Sequence, residues 1–125
     1  MLVLLFACAG ASPDSASGPP ALTLLAPADG DVVCGDPLRI STRVENFTLT
    51  EEVATDDPAL DKGHIHLYLN GQEAATSYTP DFEVPDIVEG EKQLRVELGL
   101  TNHEALDPYV GTTIYVTVDN TVCGG

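Results

Sequence analysis

His64-Ile65-His66-Leu67-Tyr68-Leu69-Asn70-Gly71 is the stretch that decides the fold. Ile65, Leu67 and Leu69 alternate with His64, His66 and Tyr68, the two-residue period of a strand with one apolar face. Asn70-Gly71 closes the run. A type I′ turn needs positive φ at both central residues, which Asn and Gly accept most readily, so the chain turns back into a second strand over 72–78.

The same alternation recurs on either side. Leu38, Ile40, Thr42 and Val44 alternate with Arg39, Ser41, Arg43 and Glu45. Leu94, Val96, Leu98 and Leu100 alternate with Gln93, Arg95, Glu97 and Gly99, and Ile114, Val116 and Val118 with Thr113, Tyr115 and Thr117. Leu22 and Leu24 lead into a turn at Pro27-Ala28-Asp29-Gly30, and Phe82, Val84 and Ile87 make a Pro-interrupted strand suited to a sheet edge. The expected strands cover 21–26, 37–46, 64–69, 72–78, 81–87, 92–100 and 112–119. No window shows a helical period. Strands with one apolar face belong in an antiparallel sandwich, not in a parallel sheet buried on both sides. A small antiparallel barrel is the other architecture the pattern allows.

The chain has 125 residues, enough for one domain. Five Lys+Arg against 20 Asp+Glu give a net charge of -15, which repels phosphate backbones and excludes a nucleic-acid partner. Residues 1–8, Met1-Leu2-Val3-Leu4-Leu5-Phe6-Ala7-Cys8, form an apolar run too short to span a bilayer. A small, polar, Pro/Gly/Ser-rich stretch follows over 9–20 and reads as a flexible linker. The domain then occupies 21–119 and a short tail 120–125.

Leu5-Phe6-Ala7-Cys8 followed by small residues resembles a bacterial lipoprotein signal. The resemblance implies a lipidated Cys8 at the mature N-terminus and an exported protein of the cell envelope, anchored in the outer membrane or held in the periplasm, that meets the membrane through its lipid alone. It departs from the pattern in lacking a Lys or Arg before the apolar run. With Cys8 lipidated, Cys34 and Cys123 remain and can pair in an oxidising compartment.

The strand count and spacing, the opening Ala26-Pro27-Ala28-Asp29-Gly30 and the stretch Glu89-Gly90-Glu91-Lys92-Gln93-Leu94-Arg95-Val96 resemble the immunoglobulin-like and fibronectin-III-like domains of bacterial surface proteins. The antibody Cys…Trp…Cys core is absent, since the chain has no Trp. The resemblance implies a seven-stranded sandwich in which 64–69, 92–100 and 112–119 share a sheet. It also implies a binding or structural module whose partner is a protein or a glycan. Following the strand directions, Cys34 and Cys123 fall at one end of it, which supports their pairing.

The chain's three histidines are His64, His66 and His103. His64 and His66 share the side of their strand opposite the apolar face, and His103 has the parity of Arg95, Glu97 and Gly99. In the sandwich register all three imidazoles meet on one outward face at the end opposite the cysteines. Three imidazoles can hold copper or zinc with one position left open. Asp61, Glu104 and Asp107 are candidates for a fourth ligand or for orienting the rings, alongside Glu51, Glu52, Asp56 and Asp57 of the same loop cluster. Gly63-His64-Ile65-His66 with Asn102-His103-Glu104 is also similar to a group of bacterial exported domains of largely unknown function, which implies that the three histidines belong together. The bland alternative is three solvated surface histidines.

Signatures of catalysis are missing: there is no G-x-S-x-G, Walker A, G-x-G-x-x-G, H-E-x-x-H or C-x-x-C. Blue copper needs a Cys and usually a Met near His, and the copper–zinc superoxide dismutase site needs more His than three. Asp56-Asp57-Pro58-Ala59-Leu60-Asp61 lacks the spacing of an EF-hand calcium loop. The sequence therefore reads as a non-catalytic envelope module, with a three-histidine metal site as the alternative.

Overall fold

The computed structural model describes residues 18–53 and 58–123. The expected leader with Cys8, the start of the expected linker, Asp56 and Asp57 lie outside the described residues.

Nine strands are described: β1 (Ala21–Ala26), β2 (Val32–Val33), β3 (Leu38–Glu45), β4 (Thr48–Leu49), β5 (Lys62–Leu69), β6 (Gln72–Ser77), β7 (Asp81–Val84), β8 (Gly90–Leu100) and β9 (Gly111–Val118). They form two sheets, β1-β3-β7 and β2-β9-β8-β5-β4, with β6 also paired to β5. Seven of the nine match the strands expected from periodicity, with ends shifted by a few residues. The two extra ones are two-residue pairings, β2 parallel to β9 and β4 parallel to β5, too short to leave a periodic signal. The first strand thus switches sheets: β1 pairs with β3, and β2 crosses to β9.

Alternation fills the space between the sheets. Leu38, Ile40 and Val84 from one sheet meet Ile65, Leu67, Leu94, Val96, Leu98, Leu100 and Val116 from the other. Thr42 is a buried polar residue in this layer, and its hydroxyl donates to the Pro80 carbonyl at 2.7 Å, so its burial leaves no unmet hydrogen bond. Asn70 and Gly71 have φ of 53° and 84°, the two positive values a type I′ hairpin demands between β5 and β6.

At the far end, Asp119 caps a 3₁₀ turn over Asn120–Val122 by accepting from the Thr121 N–H. Asn120 Oδ1 accepts from Gly35 N at 2.8 Å, tying the segment after β9 to the connection between β2 and β3. Cys34 and Cys123 are joined there as a disulfide, with Cα atoms 4.7 Å apart. Strand β8 runs from this end, where Gly90 pairs with Val118, to the opposite one, where Gly99 pairs with His64. Its eleven residues cover roughly 35 Å at about 3.3 Å per residue. The disulfide and the histidines therefore occupy opposite ends.

Candidate metal centre

Two of the three imidazoles sit side by side on β5. His64 pairs with Gly99 and His66 with Glu97 across the β5–β8 ladder, with no bulge between them. Their Nε2 atoms are 2.9 Å apart and their ring planes cross at 74°. Gly99 makes this possible by what it lacks. A Cβ there would lie 2.8 Å from His66 Nε2 and 3.4 Å from His64 Nε2, so both nitrogens rest directly over its Cα.

His103 reaches the same place by another route than strand parity. Strand β8 stops at Leu100, and the chain reverses at once: His103 N–H donates to the Leu100 carbonyl and Leu100 N–H to the Glu104 carbonyl. Gly99 bridges to Ala105 on the returning segment. His103 occupies the left-handed position of this turn, with φ of 73°. Its ring centroid is 4.8 Å from that of His64 and 5.9 Å from that of His66. One nitrogen from each of the three rings can be chosen so that all lie within 4.8 Å of one another.

The expectation that all three rings face solvent is corrected. His103 is exposed, but His64 and His66 are only 2% and 4% exposed. On the side of the sheet away from the apolar core, aromatic side chains from the strands and from the connections between them lie beside the rings. Tyr78 stacks edge-on to His64 at 6.0 Å, and Tyr68 flanks His66 at 6.0 Å. Tyr109 lies over Gly111, where a Cβ would meet its hydroxyl at 2.5 Å, and donates to Glu97 at 2.9 Å. Arg95 places its guanidinium 4.3 Å from the Tyr68 ring centre, with Nε 3.3 Å from Glu97 but not aligned to donate. Alternation correctly separated polar from apolar positions. It cannot show that a polar face is roofed.

The carboxylate that orients the rings is Glu73, which the sequence reading did not single out. His66 Nδ1 lies 2.8 Å from Glu73 Oε2, which also accepts from the Thr76 hydroxyl at 2.7 Å. Those hydrogen bonds hold the Glu73 carboxyl below its ordinary range. The Asn70-Gly71 hairpin sets Leu69 opposite Gln72 and Tyr68 opposite Glu73, which places Glu73 on the histidine side. A bulge at Ala74 then lets Ala75 pair with Leu67 and brings Thr76, opposite His66, to the same side as Glu73. Of the carboxylates expected to do this, Asp61 accepts a backbone bond from Thr48 through its carbonyl, and Glu104 N–H is held by Asn102. Among the described residues, no hydrogen bond joins Asp61, Glu104 or Asp107 to a histidine ring. Glu52 is engaged with Lys62 at 2.8 Å.

The hydrogen-bond pattern assigns the tautomers. A carboxylate only accepts, so His66 carries its proton on Nδ1 and turns a lone pair on Nε2 toward His64. Without an ion, His64 donates from Nε2, and its Nδ1 is buried with no partner. Burial, and then the neighbouring His66 and His103, push the His64 pKa down to about 4, with Glu73 opposing. Neutral imidazoles are the form that binds metal.

A concavity of about 590 Å³ lies at the other end, beside Val32, Asp36, Arg39, Val122 and the disulfide, and holds none of the histidines. Among the described residues no helix is long and apolar enough to cross a membrane.

Scanned against protein-family models, the chain matches none, and comparison with curated proteins found no match either. Among solved structures it is similar to the fibronectin(III)-like modules of Clostridium thermocellum CbhA, with a TM-score of 0.54 and 16% identity over 79% of this chain and 96% of that one. At that identity the likeness concerns the fold. It agrees with the two-sheet topology in defining an immunoglobulin-like, fibronectin-III-like β-sandwich.

Proposed function

We propose that this domain is a non-catalytic, exported module that binds one divalent transition-metal ion, copper or zinc, through His64, His66 and His103. The observation that carries this reading is the convergence of three imidazole nitrogens within 4.8 Å, drawn from two separate parts of the chain. Two further features support it. Glu73 backs His66 in the carboxylate–histidine arrangement common behind metal-bound imidazoles. The Cβ-free floor at Gly99 leaves room for both rings to converge.

Export is part of the same proposal. It rests on the likeness of Leu5–Cys8 to a lipoprotein signal and fits a chain whose remaining cysteines are disulfide-bonded. The surface charge of -15 raises the local concentration of cations and speeds their capture without selecting among them. An all-nitrogen set follows the usual stability order, in which Cu(II) binds more tightly than Zn(II).

The test is calorimetric titration with Cu(II) and with Zn(II) of the wild type and of His66→Ala, paired with thermal melts. The wild type gains stability as RT ln(1 + [L]/Kd) and the variant gains none. Matching titrations refute the site and leave a structural or adhesive module whose partner is a protein or a glycan.

A further inference from the structure

Resting on the metal-binding reading, we infer that the centre is an exchange site, built to take up an ion and hand it on by direct ligand exchange, not a structural site that holds the fold together. Structural zinc sites close four protein ligands around the ion. Here the cluster contains three histidines and, among the described residues, no fourth ligand. The nearest carboxylate in the hydrogen-bond network, Glu73, is turned to His66 Nδ1 and the Thr76 hydroxyl, so it orients a ligand instead of becoming one.

The three ligands also differ in how they are held. His64 and His66 are buried on β5, whose backbone is paired to β8 over Gly63–Leu69 and to β6 over Ile65–Leu69. His103 is exposed, on a turn of a few residues between Leu100 and Glu104. An ion over Gly99 therefore has a fixed pair of donors on its inner side. On its outer side it meets one surface donor and solvent. An incoming ligand can bind the open position before His103 lets go, so the ion never has to leave unaided.

What holds the fold together is separate from the ligands. None of the three histidines belongs to the apolar core, and the Cys34–Cys123 disulfide lies at the opposite end of β8. Loading and unloading then leave the sandwich intact, which an exchange site requires and a structural site does not allow.

The experiment uses the mature protein loaded with Cu(II) and challenged with nitrilotriacetate over a range of concentrations. Tyrosine emission reports occupancy, because Tyr78 and Tyr68 flank the histidines at 6.0 Å, Cu(II) quenches a fluorophore at that range, and the chain has no Trp. The removal rate should double with each doubling of chelator, and His103→Ala should steepen that dependence. Far-ultraviolet circular dichroism should be unchanged between loaded and emptied protein. A removal rate independent of chelator concentration, or loss of the β signal on emptying, overturns the exchange site while leaving metal binding intact. Failure of Cu(II) to quench or titrate at all overturns both.

Discussion

The buried His64 makes the stability of the metal-free domain depend on pH in a defined window. Its pKa is about 4 in the folded protein against 6.5 for an unperturbed histidine, chiefly because burial penalises the imidazolium and His66 and His103 add to the cost. The depressed value belongs to a base, so the unfolded chain takes up the proton first. Stability is complete above about pH 6.5 and falls as the pH drops toward 4. Below that the folded protein is protonated too, and this group costs nothing further. The full span is worth about 3 kcal/mol at 1.36 kcal/mol per pKa unit, and about 2 kcal/mol of it is already lost at pH 5. The assay is urea unfolding followed by circular dichroism, with chelator present, at about pH 7.5 and about pH 5, on the wild type and on His64→Gln. Glutamine does not titrate, so effects shared with the other groups cancel in the comparison. The wild type should lose about 2 kcal/mol more than the variant between the two conditions. Staying near pH 5 keeps clear of Glu73, whose lowered pKa removes stability only as its carboxylate protonates at lower pH. If the two proteins lose stability in parallel, His64 is not held neutral by its surroundings and the account of the buried pair is wrong.

Other outcomes can be checked separately. Reducing the disulfide, or replacing both Cys34 and Cys123 by Ser, opens a loop of 89 residues and should cost about 4–5 kcal/mol in the chain-entropy account, read as a lower melting temperature. His103→Gly should raise metal-free stability by about 1 kcal/mol, because glycine adopts the φ of 73° without strain, while weakening but not abolishing the stabilisation by Cu(II), which His64 and His66 still hold. Glu73→Gln should weaken Cu(II) binding by about 10–100-fold in calorimetry while leaving the fold intact. Feeding cells a labelled fatty-acid analogue should mark the wild-type chain and not Cys8→Ser, and equal labelling would exclude the lipid anchor.

The sandwich was legible because its strands carry one apolar face each. The alternation at Leu38–Val44, Ile65–Leu69, Leu94–Leu100 and Ile114–Val118 is the same alternation that builds the core. The Asn70-Gly71 turn was legible because its backbone demands those residues. The histidine cluster was legible in its membership, since His64 and His66 share a strand face and the register brings Gly99 beside them. Its burial was not, because cover by Tyr78, Tyr109 and the Leu100–Glu104 turn depends on where irregular segments fold, and those have no period. His103 illustrates the difference. Parity along β8 pointed to the right face, yet the strand ends at Leu100, and it is the left-handed turn residue that delivers the ring.

Glu73 shows most plainly what a periodic reading leaves out. One extra residue, Ala74, separates the pairing of Leu67 with Ala75 from that of Tyr68 with Glu73. It leaves Glu73 and Thr76, three apart, on one side of the strand. A regular strand cannot do that, because residues at odd separation face opposite ways. The consequence is chemical. The Asn70-Gly71 hairpin sets Glu73 opposite Tyr68, on the histidine side, and the bulge lets Thr76 return to that side opposite His66. There the Glu73 carboxylate accepts from the Thr76 hydroxyl, fixes the tautomer of His66 and aims the Nε2 lone pair at the point where His64 and His103 converge. The pairing register, not the extra residue, is thus what orients the two adjacent histidines. A deletion of Ala74 keeps Glu73 opposite Tyr68 and Thr76 opposite His66, so metal-dependent stabilisation should survive it. Glu73→Ala should weaken that stabilisation while every ligand is still present, and undiminished Cu(II) binding by Glu73→Ala would show that Glu73 has no part in the site.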